Sequence, residues 1–106
     1  MLTKFYFILT LFIVGIFMAS SMLYSLDGES LFVDKCGSCH KNGGEAQIFA
    51  PVKYASSQWD RFFQQDKHKR KKDISTLIEL SELNTIKQYL IDHAADSDRP
   101  IAAGLR

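Results

Sequence analysis

Cys36-Gly37-Ser38-Cys39-His40 is the stretch that decides the fold of this chain. Two thiols separated by two residues can each add to one vinyl group of a haem, which makes the porphyrin covalently part of the chain. The histidine directly after the second cysteine is then held beneath the ring, where an imidazole nitrogen can ligate the iron. The spacing C-x-x-C-H therefore predicts one haem c attached through Cys36 and Cys39, with His40 as a metal ligand.

Other chemistries of a C-x-x-C pair fit this sequence less well. Thiol-disulfide redox centres open a helix in a βαβ-patterned domain, and no such strand pattern is found in the sequence. The pair could supply half of a zinc site, but the usual second pair at finger-like spacing is absent. Thiol-disulfide oxidoreductase activity stays an alternative that applies only if no haem is attached.

Residues 1–26 are predicted to direct export. A short leader with Lys4 precedes an uncharged apolar run that extends to about Leu26. The run is either a secretory signal, with small residues at 19–21 for cleavage, or an uncleaved membrane anchor, because its length is just sufficient to span a bilayer. Both interpretations place the rest of the chain across a membrane.

The part after this segment is small and nearly neutral. About eighty residues remain, enough for one domain whose core is marginal by itself, so a buried haem would add much of the missing apolar surface. Of the 13 Lys and Arg residues only Lys4 lies in the leader, which leaves twelve basic residues against twelve acidic ones. Global charge therefore predicts no particular partner.

Helical signals flank the cysteine motif on both sides. Asp27 is predicted to cap a short helix over 27–35, with Leu31 and Phe32 facing the core. A second helix is predicted over 56–66, where Ser57 and Asp60 form a capping-box pattern. Its apolar face is aromatic and consists of Trp59, Phe62 and Phe63.

The C-terminal part predicts two further elements. Asp73 can cap a short helix that ends at Leu80, and Ser81 can cap the last helix over 82–93, which has apolar residues at helical spacing. Residues 101–106 are expected to form a mobile tail.

The motif and its surroundings resemble the cytochrome c family. An aromatic residue, Phe32, four positions before the first Cys on a short helix preceded by Gly is similar to the N-terminal helix of that family. The resemblance implies an all-α fold, a small cytochrome c-like domain of about three to four helices wrapped on one haem, at 27–95. An N-terminal apolar helix at 1–26 would precede this domain and a tail at 96–106 would follow it.

Further expectations come from the same resemblance. The protein would transfer single electrons and not act as an enzyme, in the periplasm or otherwise outside the cytoplasm, soluble or anchored to the inner membrane. In such cytochromes a proline beyond the motif packs near the proximal histidine and its carbonyl orients the imidazole, as Pro51 could, although Pro51 could equally be a surface-loop residue. Phe32 and Trp59 are expected to contact the haem, because the core would consist mostly of it.

The sixth ligand of the iron is not a methionine. Met1, Met18 and Met22 all precede the motif, which leaves His68, His93, a lysine or an open position. His68 follows the aromatic helix in a loop, whereas His93 lies late in the last helix.

The order of elements from Trp59 onward resembles a narrower group, the dihaem cytochromes c of photosynthetic and related bacteria. A Trp on a helix, a histidine ligand after it, a capped helix and a Tyr-Leu pair correspond to Trp59, His68, Ser81 and 89–90. On this resemblance His68 is the predicted sixth ligand. The single C-x-x-C-H implies one haem, bis-histidine and of low potential. A haem-based sensor or small-ligand-binding protein, with a displaceable His68, is the alternative.

The basic run at 67–72, which begins at Lys67 and ends at Lys72, is most simply a solvated loop. If it lies over the haem edge, its charges would attract an acidic redox partner protein. Nucleic-acid binding is not expected in this compartment. Membrane association would depend on the N-terminal segment.

Overall fold

A computed structural model of the chain describes residues 27–105. The apolar helix predicted at 1–26 lies outside the described residues. Within 27–105 the fold contains three α-helices and no strand, and strand-like pairing is limited to one isolated bridge between His40 and Ala46. The predicted all-α class is confirmed for this part of the chain.

Helix α1, Gly28–Leu31, leads directly into the cysteine motif. Asp27 caps it as predicted, because its carboxylate accepts a hydrogen bond from the backbone N–H of Glu29 at 3.1 Å. The chain continues without a break into a π-helical turn, Phe32–Cys36. Cys36 therefore ends a continuous helical segment, and its position follows from the packing of α1.

Helix α3, Leu80–Asp92, packs against α1 at close range. A Cβ added at Gly28 would lie 2.8 Å from the Cβ of Tyr89, so only glycine permits this approach. The α3 residues Ile86 and Leu90 are almost fully buried beneath the contact. The first and last helices of the described residues are thus packed directly against each other.

Helix α2, Ser56–Gln64, begins one residue before the predicted cap. Gln58 accepts a hydrogen bond from the backbone N–H of Ala55 at 2.9 Å, and Asp96 accepts one from the backbone N–H of Ser56 at 2.8 Å. Asp60 does not cap the helix, because its carboxylate pairs with Lys87 of α3. The prediction of a Ser57–Asp60 capping box is wrong, because Gln58 and the distant Asp96 accept the hydrogen bonds at the start of the helix.

The segment between α2 and α3 is less helical than predicted. A 3-10 turn, Lys67–Arg70, follows Asp66, whose φ of 48° ends the preceding helix in the left-handed region. Asp73 accepts a hydrogen bond from the N–H of Ser75 at 2.9 Å and forms a turn there, so no helix reaches Leu80.

The start of α3 also differs from the prediction. Glu79 precedes its first residue, and the side chain of Glu82 accepts a hydrogen bond from the N–H of Glu79 at 3.2 Å. Ser81 lies inside the first turn and is not the cap. Helix α3 therefore begins two residues before the predicted range.

The C-terminal segment packs onto the domain, which corrects the expectation of a mobile tail. The N–H of Ile101 donates to the carbonyl of His93 at 3.1 Å, and the N–H of Leu105 donates to the carbonyl of Phe49 at 3.1 Å. Leu105 is only 4% exposed. This segment lacks periodicity, and long-range backbone pairing of this kind leaves no local sequence signal.

All three α-helices and the C-terminal segment contribute residues to the described core. Its buried apolar residues are Leu31, Phe32, Trp59, Ile78, Ile86, Leu90, Ala94 and Leu105. Among residues 27–105, no helix has the length and apolar composition needed to cross a membrane.

Replacing Asp96 by Ala should destabilise the domain in a pH-dependent way. Hydrogen bonds from the backbone N–H and then the hydroxyl of Ser56 lower the pKa of Asp96 below its ordinary 3.8. A lowered folded-state pKa stabilises the folded form above pH 3.8, and that contribution is lost as the pH falls through the folded pKa. Urea unfolding at several pH values should show a gap between wild type and variant near neutral pH that closes under acid. The exposed neighbour Asp98, changed to Ala, is the control; equal gaps for both variants would contradict this role for Asp96.

Candidate functional site

His40 is held at the end of the cysteine turn by backbone and side-chain hydrogen bonds. Its N–H donates to the carbonyl of Cys36 at 2.9 Å, which continues the helical turn through the motif. The chain then reverses, and Gly43 takes a φ of 77° that an L side chain rarely adopts. The reversal brings the carbonyl of Gln47 to 2.6 Å from Nδ1 of His40. A backbone carbonyl seven residues further along the chain thus fixes the orientation of the His40 imidazole.

His68 is held in the same manner on the other side of the site. It lies in the 3-10 turn after α2, and its Nδ1 is 2.8 Å from the carbonyl of Lys72. The backbone N–H of Lys72 donates in turn to the carbonyl of His68 at 2.9 Å. The two residues close a small loop that fixes the direction of the imidazole.

The two imidazoles lie close to each other. Their ring centres are 6.2 Å apart and their planes are inclined at 71°. A carbonyl can only accept a hydrogen bond, so Nδ1 of each ring carries the proton and Nε2 keeps its lone pair. Imidazole–metal bonds are about 2 Å long and the ring centre lies roughly 1 Å further on, so two imidazoles on opposite sides of one metal ion stand about 6 Å apart. The observed spacing suits His40 and His68 as ligands of a single metal ion.

Aromatic side chains connect the two histidines on one side. Phe49 lies edge-on to His40 at 4.8 Å between ring centres, and Trp59 lies 5.8 Å from Phe49. Phe62 is 6.0 Å from Trp59 and 6.5 Å from His68. Together with the pair of imidazoles these rings form a closed ring of neighbours. The aromatic wall of Phe49, Trp59 and Phe62 therefore links His40 to His68.

The two cysteines of the motif are free thiols of intermediate exposure. Cys36 is partly buried and packs against the core. Burial, with a smaller contribution from Cys39, raises the pKa of the Cys36 thiol to about 11. Redox-active thiols have a lowered pKa, because the thiolate is the nucleophile. The environment of Cys36 therefore disfavours thiol-disulfide exchange.

Pro51 does not orient His40, which corrects the expectation for its carbonyl. The Pro51 carbonyl accepts a hydrogen bond from Nε1 of Trp59 at 2.8 Å, and Gln47 occupies the role expected of Pro51. Pro51 is buried and is not a surface-loop residue. Its contribution is to hold Trp59, which is 3% exposed, in the aromatic wall.

Phe32 is also part of the core beside the site. Its ring lies 5.3 Å from Phe49 and 5.5 Å from Tyr89. Phe32 thus packs between Phe49 of the aromatic wall and Tyr89 of α3.

His93 makes its contacts in the turn that follows α3. Its Nδ1 donates to the carbonyl of Arg99 at 2.7 Å and its ring packs on Tyr89 at 4.8 Å. The ring therefore closes the turn after α3. His68 and not His93 is the histidine that the structure brings to His40.

Three groups of the site were not predicted from the sequence. Phe49, which contacts His40, is one of eight phenylalanines and has no motif that singles it out. The carbonyls of Gln47 and Lys72 carry no sequence signal, because any residue could provide them. Within residues 27–105, no group of three or more His, Cys, Asp and Glu side chains is arranged to hold a metal ion.

The basic run at 67–72 lies on the surface around His68. Lys69, Arg70 and Lys71 are exposed. Lys72 forms an ion pair with Glu45 at 2.9 Å, and their hydrogen bond lowers the pKa of Glu45 and raises that of Lys72. The run therefore includes both solvated charges and one contact with the segment that bears His40.

Comparison with protein families, with curated proteins and with solved structures finds no match to this chain. The site is therefore interpreted from its own geometry and chemistry.

Proposed function

We propose that the protein is an exported monohaem c-type cytochrome that carries single electrons between redox partners. The observation that carries the proposal is the pair of imidazoles, His40 and His68, whose ring centres are 6.2 Å apart and whose Nδ1 atoms both donate to backbone carbonyls. Both rings thereby keep Nε2 free of these hydrogen bonds and available to a metal ion. When bound, the haem supplies an iron that changes between the ferric and ferrous states.

The donor set suits a haem better than a bare metal ion. A structural zinc ion takes four ligands from the protein and a catalytic one takes three, and within residues 27–105 no three His, Cys, Asp or Glu side chains are arranged to hold a metal ion. A haem would bring the nitrogen donors of its own ring, so His40 and His68 would have to supply only two further ligands. The partly exposed rings of Phe49 and Phe62, which pack on the buried Trp59, would offer apolar surface to a porphyrin.

Cys36 and Cys39 would attach the cofactor. Each thiol would add across a vinyl double bond, with sulfur bonding to one carbon and the thiol hydrogen passing to the other. This addition needs no external oxidant or reductant. The backbone N–H groups of Cys39 and His40 both donate to the carbonyl of Cys36, so the motif forms one compact turn, which supports attachment of a cofactor next to His40.

Two histidine ligands set the proposed redox behaviour. If His40 and His68 both ligate the iron, they would leave no open site for a substrate, and no catalytic step is proposed. Imidazole in place of a methionine sulfur would lower the reduction potential. The carbonyls of Gln47 and Lys72 accept hydrogen bonds from the Nδ1–H groups, which would make both imidazoles stronger electron donors to the iron and act in the same direction.

The proposed location and partners follow from the sequence. The export segment at 1–26 places the domain outside the cytoplasm, in the periplasm, either soluble or anchored to the inner membrane. Redox partner proteins with an acidic surface would dock at the basic run 67–72, which surrounds the sixth ligand. No nucleic-acid partner is proposed.

Replacing His68 by Ala tests the assignment of the sixth ligand. The variant should keep its attached haem, because the cysteines are unchanged, but its absorption spectrum should change from low-spin to high-spin. His93→Ala is the matched control, since His93 bonds Arg99 and should leave the spin state unchanged.

A low-spin spectrum in His68→Ala would remove His68 from the iron. Rapid binding of carbon monoxide by the reduced wild-type protein would instead favour the alternative function, a haem-based sensor with a displaceable sixth ligand.

Replacing His68 by Met should raise the reduction potential, by on the order of 0.1 V, because a thioether favours the ferrous state more than imidazole does. Potentiometric titration followed in the visible range measures the change. His93→Met serves as the control and should keep the wild-type potential. An unchanged potential in a His68→Met protein whose spectrum shows a sulfur-to-iron band would contradict the account.

A further inference from the structure

We infer that Glu45 is a positioning residue for the sixth ligand and acts through Lys72 as a clasp between the two histidine-bearing segments. The inference rests on the proposed function. Glu45 belongs to the segment that orients His40, and Lys72 to the segment that orients His68. Their ion pair, at 2.9 Å, joins the two.

On one side of the clasp, Lys72 and His68 form a closed unit. Nδ1 of His68 donates to the carbonyl of Lys72, and the N–H of Lys72 donates to the carbonyl of His68. His68 cannot leave its place without moving the Lys72 backbone or breaking these bonds. Because the His68 imidazole is bonded to the backbone of Lys72, an ion pair made by the Lys72 side chain also restrains the imidazole.

On the other side, Glu45 extends from a rigid loop. The N–H of Gly44 donates to the carbonyl of Lys41 at 2.9 Å, and the N–H of Ala46 donates to the carbonyl of Cys39 at 3.1 Å. A Cβ at Gly44 would lie 2.5 Å from the Cys39 carbonyl oxygen, so the loop is packed tightly against the motif. Glu45 is thus fixed relative to Cys39 and His40.

The Glu45–Lys72 ion pair differs from the other ion pairs in the segments that it connects. The other two pairs found within residues 27–105 connect Lys35 with Glu82 and Lys87 with Asp60, and both tie an element to α3. Only the Glu45–Lys72 pair in this part of the chain links the two histidine-bearing segments. Both of its side chains are largely exposed, so it adds little to global stability.

The Glu45–Lys72 pair should therefore affect the release of His68 more than it affects folding. A solvent-exposed ion pair contributes weakly to the stability of the fold. This pair, however, directly restrains the movement of His68 that would open the sixth position of the iron. Removing the charge should speed release without loosening the fold. High salt should have the same effect in the wild-type protein, because exposed charges are screened.

The test compares carbon monoxide binding to reduced holoprotein of wild type and Glu45→Gln by stopped-flow absorption. At saturating carbon monoxide the observed rate is that of His68 release. At low ionic strength the variant should bind about two- to fivefold faster, the range that an exposed ion pair can sustain. At high salt the two proteins should react at the same rate.

Two further variants separate the clasp from a general charge effect. Asp60→Asn breaks a pair of similar length that is less exposed and joins α2 to α3 instead of the two histidine-bearing segments, so it should leave the rate unchanged. The reciprocal double variant, Glu45→Lys with Lys72→Glu, restores an ion pair and should return the rate towards wild type. Equal rates for wild type and Glu45→Gln, or an equal acceleration in Asp60→Asn, would overturn the inference.

If the proteins bind no carbon monoxide, a second measurement tests whether Glu45 restrains His68. Urea titration should then show the low-spin to high-spin change at lower urea in Glu45→Gln, with unfolding by circular dichroism unaltered; coincident spin-state midpoints would overturn the inference. Failure of the proposed function is distinguishable, since wild-type protein would then hold no covalent haem or would keep its spin state in His68→Ala.

Discussion

Two hydrogen bonds from imidazole Nδ1 atoms to backbone carbonyls are the interactions on which the site depends. One joins His40 to Gln47 and the other joins His68 to Lys72. Each bond fixes the tautomer and the direction of its ring, so both rings keep Nε2 as an acceptor. The remaining structure holds these two short segments at the observed separation. Helices α1 and α3 support the first segment, and α2 with its aromatic face supports the second.

The local elements could be predicted because their signals are local. The cap at Asp27, the aromatic face of α2 and the apolar spacing of α3 each depend on residues within one or two turns. The pairing of His68 with His40 was anticipated only through a resemblance in the order of elements. The distance between their rings is a tertiary property that no spacing along the chain contains.

Two of the errors share one physical cause, which is that residues distant in sequence bond groups that were expected to be satisfied nearby or left free. Asp96 accepts the hydrogen bond from the N–H of Ser56 at the start of α2, where a local cap was expected. The error for His40 is of the opposite kind, because Gln47, which bonds its imidazole, lies nearer in the chain than Pro51. The C-terminal segment was expected to be mobile because it lacks periodicity, yet backbone bonds to Phe49 and His93 hold it. In a domain this small, loops and termini supply many of the contacts that a larger core would supply.

The visible absorption spectrum of protein produced with an export and haem-attachment system tests the central proposal most directly. It should be recorded oxidised and reduced, before and after extraction with acidified organic solvent. The account predicts a sharp reduced α band, haem that remains with the protein, and no sulfur-to-iron band in the near infrared of the oxidised form. Haem that passes into the solvent, or protein that acquires none, would contradict the proposal and return Cys36 and Cys39 to thiol or metal chemistry.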